Sequence, residues 1–336
     1  MDLTNSRRTA ALISAFLALT SGCVAATPPA SPASPAVTPL DHLPALKGDY
    51  FPIRSAATGG DYHIYIRLPE GYGDKPQERF PVVYLLDGDS LFPLLAPHHL
   101  FLTYDDKLPE AILVGIAYGS FAPPANRRDA DFGPGSAAFQ RFLKEELIPQ
   151  VEQRTRADPR RRILLGQSRG GGFVLYSAFT EPDLFWGRIA SNPSYLTHRA
   201  LVLGPAPARG GDVRLAVVSG TRDRPQLRQD ALAWFGAQEQ RPGPWAMKRI
   251  DIEGGTHAAD VPNAYRAAMS WLFSDAPIPT TSRLASQRSG GKYQAAAQSA
   301  KHPTPSLAGA GVACARRGAE VQQGPWHSPR PCTTCR

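Results

Sequence analysis

Cysteine and long hydrophobic runs are both scarce in this chain of 336 residues. Its four cysteines are Cys23, Cys314, Cys332 and Cys335, so residues 24–313 contain none. That stretch therefore holds neither a disulfide scaffold nor a catalytic cysteine. The apolar run Ala10–Leu19 has only about half of the ~20 residues that a membrane-spanning helix needs.

An excess of positive charge is also missing from the central part of the chain. The formal net charge is +8, but residues 276–336 hold eight Lys/Arg and one Glu, and residues 1–26 hold two Arg and one Asp. Residues 27–275 therefore carry 27 basic and 27 acidic side chains. A basic face that could bind nucleic acid is not indicated there, so we expect no nucleic-acid partner.

The first 26 residues have the pattern of an export signal. Arg7 and Arg8 precede the apolar run, and small residues follow it. The segment 19–23 resembles a bacterial lipobox, which would make Cys23 a lipidated N-terminus and a membrane tether. Ala25 and Ala26 alternatively offer an ordinary cleavage site. Both interpretations predict an exported, periplasmic protein, and the first predicts a membrane-anchored lipoprotein.

Two further segments flank the central region. Residues 27–40 contain five prolines, which is typical of an extended tether. Residues 276–336 are rich in small and polar residues without periodicity, which predicts a disordered basic tail. The Cys332-x-x-Cys335 pair in that tail, near Cys314 and His327, fits either a zinc site or an unselected extension of the reading frame.

Residues 41–275 are predicted to form one catalytic domain with alternating strands and helices. Residues 62–68 alternate in hydrophobicity, which indicates an early antiparallel strand. Uninterrupted apolar runs that suit buried parallel strands lie at 80–86, 111–117, 162–166 and 213–219. Helical patterns lie at 139–151, 169–179, 226–237 and 261–273. This alternation predicts an α/β fold with a doubly wound, mostly parallel sheet and helices on both faces.

The strongest chemical motif is Gly-x-Ser-x-Gly at residues 166–170. An apolar strand precedes it and a helical pattern follows it, which is the context of a nucleophile elbow. Such a turn is expected to require glycine at Gly166 and Gly170 and to project the hydroxyl of Ser168 above the sheet. The alternative is a glycine-rich turn with an ordinary capping serine.

A serine nucleophile needs a general base and a group that orients that base. Among eight histidines, His257 lies on a late loop between a strand and the last helix, as expected for this fold class. Asp223 comes just after a strand end, and the order Ser168, Asp223, His257 is that of α/β-hydrolases. The rival carboxylates are Asp230, Glu253 and Asp260.

Acyl transfer also requires hydrogen-bond donors for the oxyanion that develops on the substrate. We expect one donor to be the backbone N–H of Arg169, at the positive start of the helix after Ser168. The second is expected from the loop after Leu86, where the candidates are the N–H groups of Gly88 and Asp89.

Several short motifs in this chain stand in the order of a known family. They are residues 82–89 (VVYLLDGD), 113–118 (LVGIAY), 128–132 (RDADF), 142–149 (FLKEELIP), 166–170 (GQSRG) and 191–195 (SNPSY). Together they resemble the esterase family of α/β-hydrolases that contains the enterochelin esterases and esterase D. The resemblance implies a serine carboxylic-ester hydrolase with an α/β-hydrolase fold, a small-molecule ester substrate, no metal and no organic cofactor. It assigns the roles of nucleophile, acid and base to Ser168, Asp223 and His257.

The chain departs from the family pattern at two places. Arg169 stands where Leu, Phe or Met is usual, and residues 191–194 read Ser-Asn-Pro-Ser instead of Ser-Pro-Ser. Two interpretations of Arg127 and Arg128 remain open. They bind an anionic siderophore substrate, or they are solvated charges on a loop. A short cap between Asp89 and Leu108 would shape an acyl pocket, with Phe92, Phe101 and Tyr104 either lining it or packing in a helix core.

Three functions fit these features. The first is an exported serine esterase acting on siderophore-like esters, and the second is an acyltransferase of the same fold. The third is a tethered binding protein whose catalytic site has decayed. The retained order of serine, aspartate and histidine favours the esterase over the binding protein.

Overall fold

The structure is a computed structural model that describes residues 43–195, 197–207, 212–240 and 243–274. The predictions for the export signal, Cys23, the proline-rich tether and the basic tail fall outside these residues. No helix in the described part is both long enough and apolar enough to cross a membrane.

One eight-stranded sheet organises the described chain. Its strands are β1 (Gly48–Arg54), β2 (Asp61–Arg67), β3 (Phe80–Leu85), β4 (Ile112–Ala117), β5 (Ala157–Gln167), β6 (Gly187–Ser191), β7 (Val213–Gly220) and β8 (Trp245–Ile252). They lie side by side in the order β1-β2-β4-β3-β5-β6-β7-β8. The β1–β2 and β2–β4 pairs are antiparallel, and all other pairs are parallel. The predicted early antiparallel strand is β2.

The edge strand β1 has no counterpart among the sequence predictions. Its hydrophobic alternation is weak, and Pro52 sits in its middle. Proline cannot donate a hydrogen bond to a neighbouring strand, so a proline-containing run is usually demoted as a strand candidate. It is tolerated here because β1 has a neighbour on one side only.

The helices cover both faces of the sheet. They are α1 (Gly88–Asp105), α2 (Arg128–Asp131), α3 (Ser136–Arg141), α4 (Ile148–Arg154), α5 (Arg169–Thr180), α6 (Arg199–Val202), α7 (Pro225–Gln240) and α8 (Val261–Leu272). The helix predicted at 139–151 is interrupted by a π-helical segment, Phe142–Leu147, between α3 and α4. The helices predicted at 169–179, 226–237 and 261–273 correspond to α5, α7 and α8.

Two hydrophobic clusters lie on opposite faces of the sheet. One contains residues of α3, α5 and α7, including Phe139, Phe173 and Trp234. The other contains residues of α1 and α8, including Leu95 and Tyr265. This two-sided packing confirms the predicted doubly wound α/β-hydrolase fold.

Parallel strands end at a common edge of the sheet, and the loops that follow them meet there. At this edge β3 leads to residues 86–88, β5 to Ser168, β7 to Asp223 and β8 to His257. The strand order therefore brings together side chains that are far apart in sequence.

Candidate active site

Ser168 occupies a sharp turn between strand β5 and helix α5. Its backbone has φ 57° and ψ −116°, a left-handed value that is strained for a residue with a side chain. The turn is held because the Ser168 N–H donates to the carbonyl of Ser191 at 2.9 Å, and the Ser168 carbonyl accepts the N–H of Gly172 at 2.9 Å. This is the geometry expected of a nucleophile elbow.

The elbow depends on glycines, and the closest approaches are at Gly166 and Gly172. A Cβ atom on Gly166 would lie 2.4 Å from the carbonyl carbon of Gly170. A Cβ on Gly170 would lie 3.3 Å from the Asp87 carboxylate, which Arg128 holds in place, so this contact is also close. The tighter site is Gly172, where a Cβ would lie 2.2 Å from the backbone oxygen of Ser194.

Ser168, His257 and Asp223 form a continuous hydrogen-bonded chain. The Nε2 atom of His257 lies 2.9 Å from Ser168 Oγ, and its Nδ1 atom lies 2.7 Å from Asp223 Oδ1. The Asp223 side chain is 1% exposed and that of His257 is 17% exposed. The carboxylate can therefore orient the imidazole, while the imidazole remains open to a bound substrate.

Two of the three rival carboxylates, Asp230 and Asp260, have other partners. Asp230 accepts hydrogen bonds from Arg199 and Gln226, at 3.1 Å each. Asp260 accepts the backbone N–H of Thr256 at the start of the His257 loop. Asp223 also accepts the N–H of Arg224 at 2.6 Å, in addition to its bond with His257.

Two side-chain amides hold the loop that carries His257. Nδ2 of Asn192 donates to the carbonyls of Thr256 at 3.0 Å and His257 at 2.9 Å, and its Oδ1 accepts the N–H of Gly220 at 2.8 Å. The Gln167 amide donates to the same His257 carbonyl at 2.6 Å. Asn192 thus connects the ends of β7 and β8, which carry the aspartate and the histidine.

Sequence reasoning missed this role of Asn192. In the sequence, Asn192 stands out only as a departure from the Ser-Pro-Ser pattern. Nothing near it in the chain indicates which loops its amide contacts. One clue is conformational. Asn192 has φ 41°, and asparagine tolerates the left-handed region better than most residues with a side chain.

The candidate oxyanion donors begin two neighbouring helices. Gly88 opens α1 and Arg169 opens α5, and the first N–H groups of a helix have no intrahelical acceptor. The two starts lie side by side because Leu86 N donates to the carbonyl of Leu165 at 3.0 Å. A Cβ on Gly88 would lie 2.6 Å from the backbone nitrogen of Ile116, so glycine lets this loop approach β4.

Two carboxylates fix the loop that carries Gly88. Asp89 accepts the N–H groups of Tyr118 at 2.8 Å and Gly119 at 2.7 Å, which ties the loop to the end of β4. Asp87 is in the left-handed region, with φ 51°, and receives both Nε and Nη2 of Arg128, at 2.8 and 3.1 Å. Burial raises the pKa of Asp87, and the hydrogen bonds from Arg128 oppose that rise.

The three arginines singled out in the sequence each have a protein partner. Arg127 donates to the carbonyl of Thr58 at 3.1 Å and lies 3.9 Å from Asp131. Arg128 is bonded to Asp87, as described above, and Arg169 lies 3.3 Å from Asp129. Of the three, Arg128 lines the cavity beside Gln167, where its charge is paired with a carboxylate.

Two adjoining cavities open at this edge of the sheet. The first, of about 250 Å³, is lined by Asp87, Asp89, Ser90, Leu91, Phe121, Asn126, Arg128 and Gln167. The second, of about 340 Å³, is lined by Leu46, Tyr65, Gly88, Asp89, Phe92, Pro93, Gly119, Ser120 and Phe121. Phe121 is shared by both and is 79% exposed.

The expected cap between Asp89 and Leu108 is instead the long helix α1, packed on the sheet. Phe92 is buried and lines the second cavity. Phe101 and Tyr104 are 59% and 47% exposed on the outer side of the helix, so they neither line an acyl pocket nor form a helix core. The stretch could not be distinguished from a cap because Pro93 and Pro97 interrupt its helical pattern.

A strained serine after a central strand, bonded to a late histidine and an aspartate, places the described region among the α/β-hydrolases. Comparison with known proteins agrees. The sequence matches the family described as "Putative esterase" over residues 55–267. The chain belongs to this family, which confirms the resemblance inferred from its motifs.

Two relatives of this chain are named as esterases. The chain is 30% identical to the ferri-bacillibactin esterase BesA of Bacillus subtilis over 168 residues, 42% of this chain and 56% of the relative. It is 28% identical to the apo-salmochelin esterase of Escherichia coli O6:H1 over 189 residues, 48% of this chain and 58% of the relative. The chain thus spans less than two thirds of the length of these curated relatives.

A solved structure shares the fold. The BES protein from Bacillus cereus superposes with a TM-score of 0.57 at 23% identity, covering 67% of this chain and 94% of that protein.

Proposed function

We propose that this protein is a serine esterase that cleaves siderophore-like esters through an acyl-enzyme on Ser168. The observation that carries the proposal is the chain of hydrogen bonds from Ser168 through His257 to Asp223. Membership of the esterase family and the similarity to two siderophore esterases support it.

The chemistry follows from the positions of these groups. His257 Nε2 accepts the proton of Ser168 Oγ as that oxygen attacks the ester carbonyl, and Asp223 stabilises the resulting imidazolium. The N–H groups of Arg169 and of Gly88 or Asp89 stabilise the oxyanion. The tetrahedral intermediate collapses as His257 gives its proton to the departing alcohol. Water then attacks the acyl-enzyme by the same route and releases the acid.

The cavity walls favour a flat ester without a large negative charge. Tyr65, Phe92 and Phe121 present aromatic surface beside the oxyanion loop, which suits the rings of a catechol ester. The first cavity contains the carboxylates of Asp87 and Asp89 and the single guanidinium of Arg128. A ferric catecholate complex is a polyanion, so this charge balance favours the metal-free form of such a substrate.

Covalent labelling of the full chain with a fluorophosphonate probe tests the nucleophile. We expect wild type to be labelled, Ser168→Ala to lose the label, and His257→Ala to react at least ~10³-fold more slowly because the base is missing. Asp223→Asn is expected to slow labelling as well, since the imidazole loses its orienting partner. Failure of folded wild type to react would exclude both the esterase and an acyltransferase, and would favour the binding protein.

Product analysis tests the substrate. We expect a catecholate tri-lactone to be hydrolysed faster in its metal-free form than as its ferric complex. Added acceptor alcohols should leave the yield of free acid unchanged. Diversion of product from acid to a new ester would instead assign the chain to the acyltransferases.

We also propose that the protein is exported and that Cys23 is lipidated. The support is the basic, apolar and small-residue pattern of residues 1–26, followed by a proline-rich tether. Mass spectrometry of the mature N-terminus in a bacterial host distinguishes a diacylated cysteine from cleavage after Ala26.

A further inference from the structure

A third cavity, at the opposite edge of the sheet, contains an unpaired buried cation. It has a volume of about 390 Å³ and is lined by Pro44, Ala45, Lys47, Gly48, Arg67, Leu68, Pro69, Glu70, Tyr72, Gly73 and Leu100. Arg67 ends β2 and pairs with Leu113, the second residue of β4. It therefore lies near the amino ends of the parallel strands, whereas Ser168 follows the carboxyl end of β5.

Arg67 is buried without a protein partner in the described part of the chain. The residue is 3% exposed, and its Nε atom is fully buried with no hydrogen bond. Within the described residues no carboxylate forms an ion pair with its guanidinium. Burial accordingly lowers the pKa of Arg67.

The two carboxylates whose charge acts on Arg67, Glu70 and Glu110, are engaged elsewhere. Glu70 accepts a hydrogen bond from the hydroxyl of Tyr104. Glu110 accepts from Lys75 Nζ at 2.8 Å and from the N–H of Gly71 at 3.2 Å. A buried guanidinium that lacks a partner is strongly destabilising, so this site favours an anion that would complete it.

The lining indicates which anion fits. Arg67 offers a planar fork of donors that matches a carboxylate, and Lys47 adds a second positive charge at the cavity wall. Leu68, Pro69 and Leu100 provide apolar walls, and Glu70 disfavours ligands of high negative charge. We propose that this cavity, defined by Lys47, Arg67 and Leu100, binds a small organic monocarboxylate whose apolar body contacts those walls.

This site is independent of the proposed esterase activity. It lies at the other edge of the sheet and shares no lining residue with the two cavities near Ser168. Its test therefore uses stability of the full chain, and fluorophosphonate labelling serves only to show that each variant retains an intact catalytic edge.

The experiment compares butyrate with the neutral butyramide at constant ionic strength. A ligand at ten times its dissociation constant is expected to raise the Tm of a domain of this size by about 3–6 °C. We expect that shift with butyrate in wild type, and none with butyramide. Arg67→Met should remove the shift, and Lys47→Met should weaken butyrate binding by several-fold.

Matched controls separate this site from general charge effects. Lys144→Gln removes a cation that pairs with Glu181 and does not line the cavity, and should leave the butyrate shift intact. An equal response to butyrate and butyramide, or a butyrate shift that persists in Arg67→Met, would overturn the proposal.

Discussion

The amide of Asn192 allows a stringent test of how the catalytic loops are held. The informative change is Asn192→Asp. The aspartate retains the shape of the side chain, the tolerance of a left-handed φ and the acceptor for the N–H of Gly220. It loses the two donors that now reach the carbonyls of Thr256 and His257.

The expected cost follows from those contacts. The carbonyl of His257 keeps the amide of Gln167 as a donor at 2.6 Å, whereas the carbonyl of Thr256 loses the donor that Asn192 supplies. A fully buried acceptor left without a donor costs about 1–3 kcal/mol, and the lower end of that range applies here because this contact is partly buried. The new carboxylate would also lie about 3 Å from two carbonyl oxygens and would repel them. We therefore expect the two effects together to lower the free energy of unfolding by about 1–3 kcal/mol.

Activity should fall along with stability if these loops carry the base and its orienting acid. Asn192 is buried and its side chain bonds only to backbone groups, so the change should act on kcat more than on KM. A displacement of about 1 Å in a catalytic group can cost ~10²-fold in rate. We expect the rate of fluorophosphonate labelling to fall by a similar factor.

The assay is urea unfolding followed by tryptophan fluorescence, alongside hydrolysis of a chromogenic ester. The matched control is Gln153→Glu, which makes the same change from amide to carboxylate at an exposed position on α4. The reasoning is wrong if Asn192→Asp retains the unfolding free energy within ~0.5 kcal/mol and the labelling rate within ~2-fold. Recovery of stability at acidic pH would agree with it, because a protonated carboxyl can donate again.

Three further outcomes are expected. Gly172→Ala should lose about 1–3 kcal/mol or more in urea unfolding, because its Cβ would lie 2.2 Å from the backbone oxygen of Ser194. Gly236→Ala, on α7 with open space around its Cβ, should gain roughly 0.5–1 kcal/mol in the same assay, and equal effects of the two changes would contradict the geometry. Burial lowers the pKa of His99 to about 3, so only the unfolded chain takes up a proton there as the pH falls below about 6.5. Stability should consequently fall by up to ~1.4 kcal/mol per pH unit from that group, and His99→Gln should flatten the urea-unfolding difference between pH 7 and pH 5.

Much of the fold was accessible from periodicity alone. The strands β3, β4, β5 and β7 are apolar runs because a parallel strand covered on both faces meets no water. The helices α5, α7 and α8 have helical hydrophobic spacing because only one side of each meets the sheet. Strand β1 was missed because an edge strand with a proline lacks both signals. The π-helical segment at 142–147 was missed because it preserves the apolar spacing of the helix around it.

The candidate site also has one part that the sequence predicts and another that only the tertiary structure supplies. The Gly-x-Ser-x-Gly turn is local, so sequence alone places Ser168 between a strand and a helix. The meeting of Ser168 with His257, 89 residues later, follows from the order of β5, β6, β7 and β8 in the sheet. Chain order favoured His257 and Asp223 over their rivals, but only packing supplies the distances between them.

Partners of charged and amide side chains were decided by tertiary structure. Arg128 was expected to meet either substrate or solvent, and it bonds instead to Asp87, 41 residues earlier. Nothing in the sequence around Asn192 indicates that its amide holds the catalytic loops. Nothing around Arg67 indicates that it lines a cavity. Hydrophobic periodicity reports only whether a face is buried. The identity of a polar partner depends on which strands become neighbours, and that is determined when the whole chain packs.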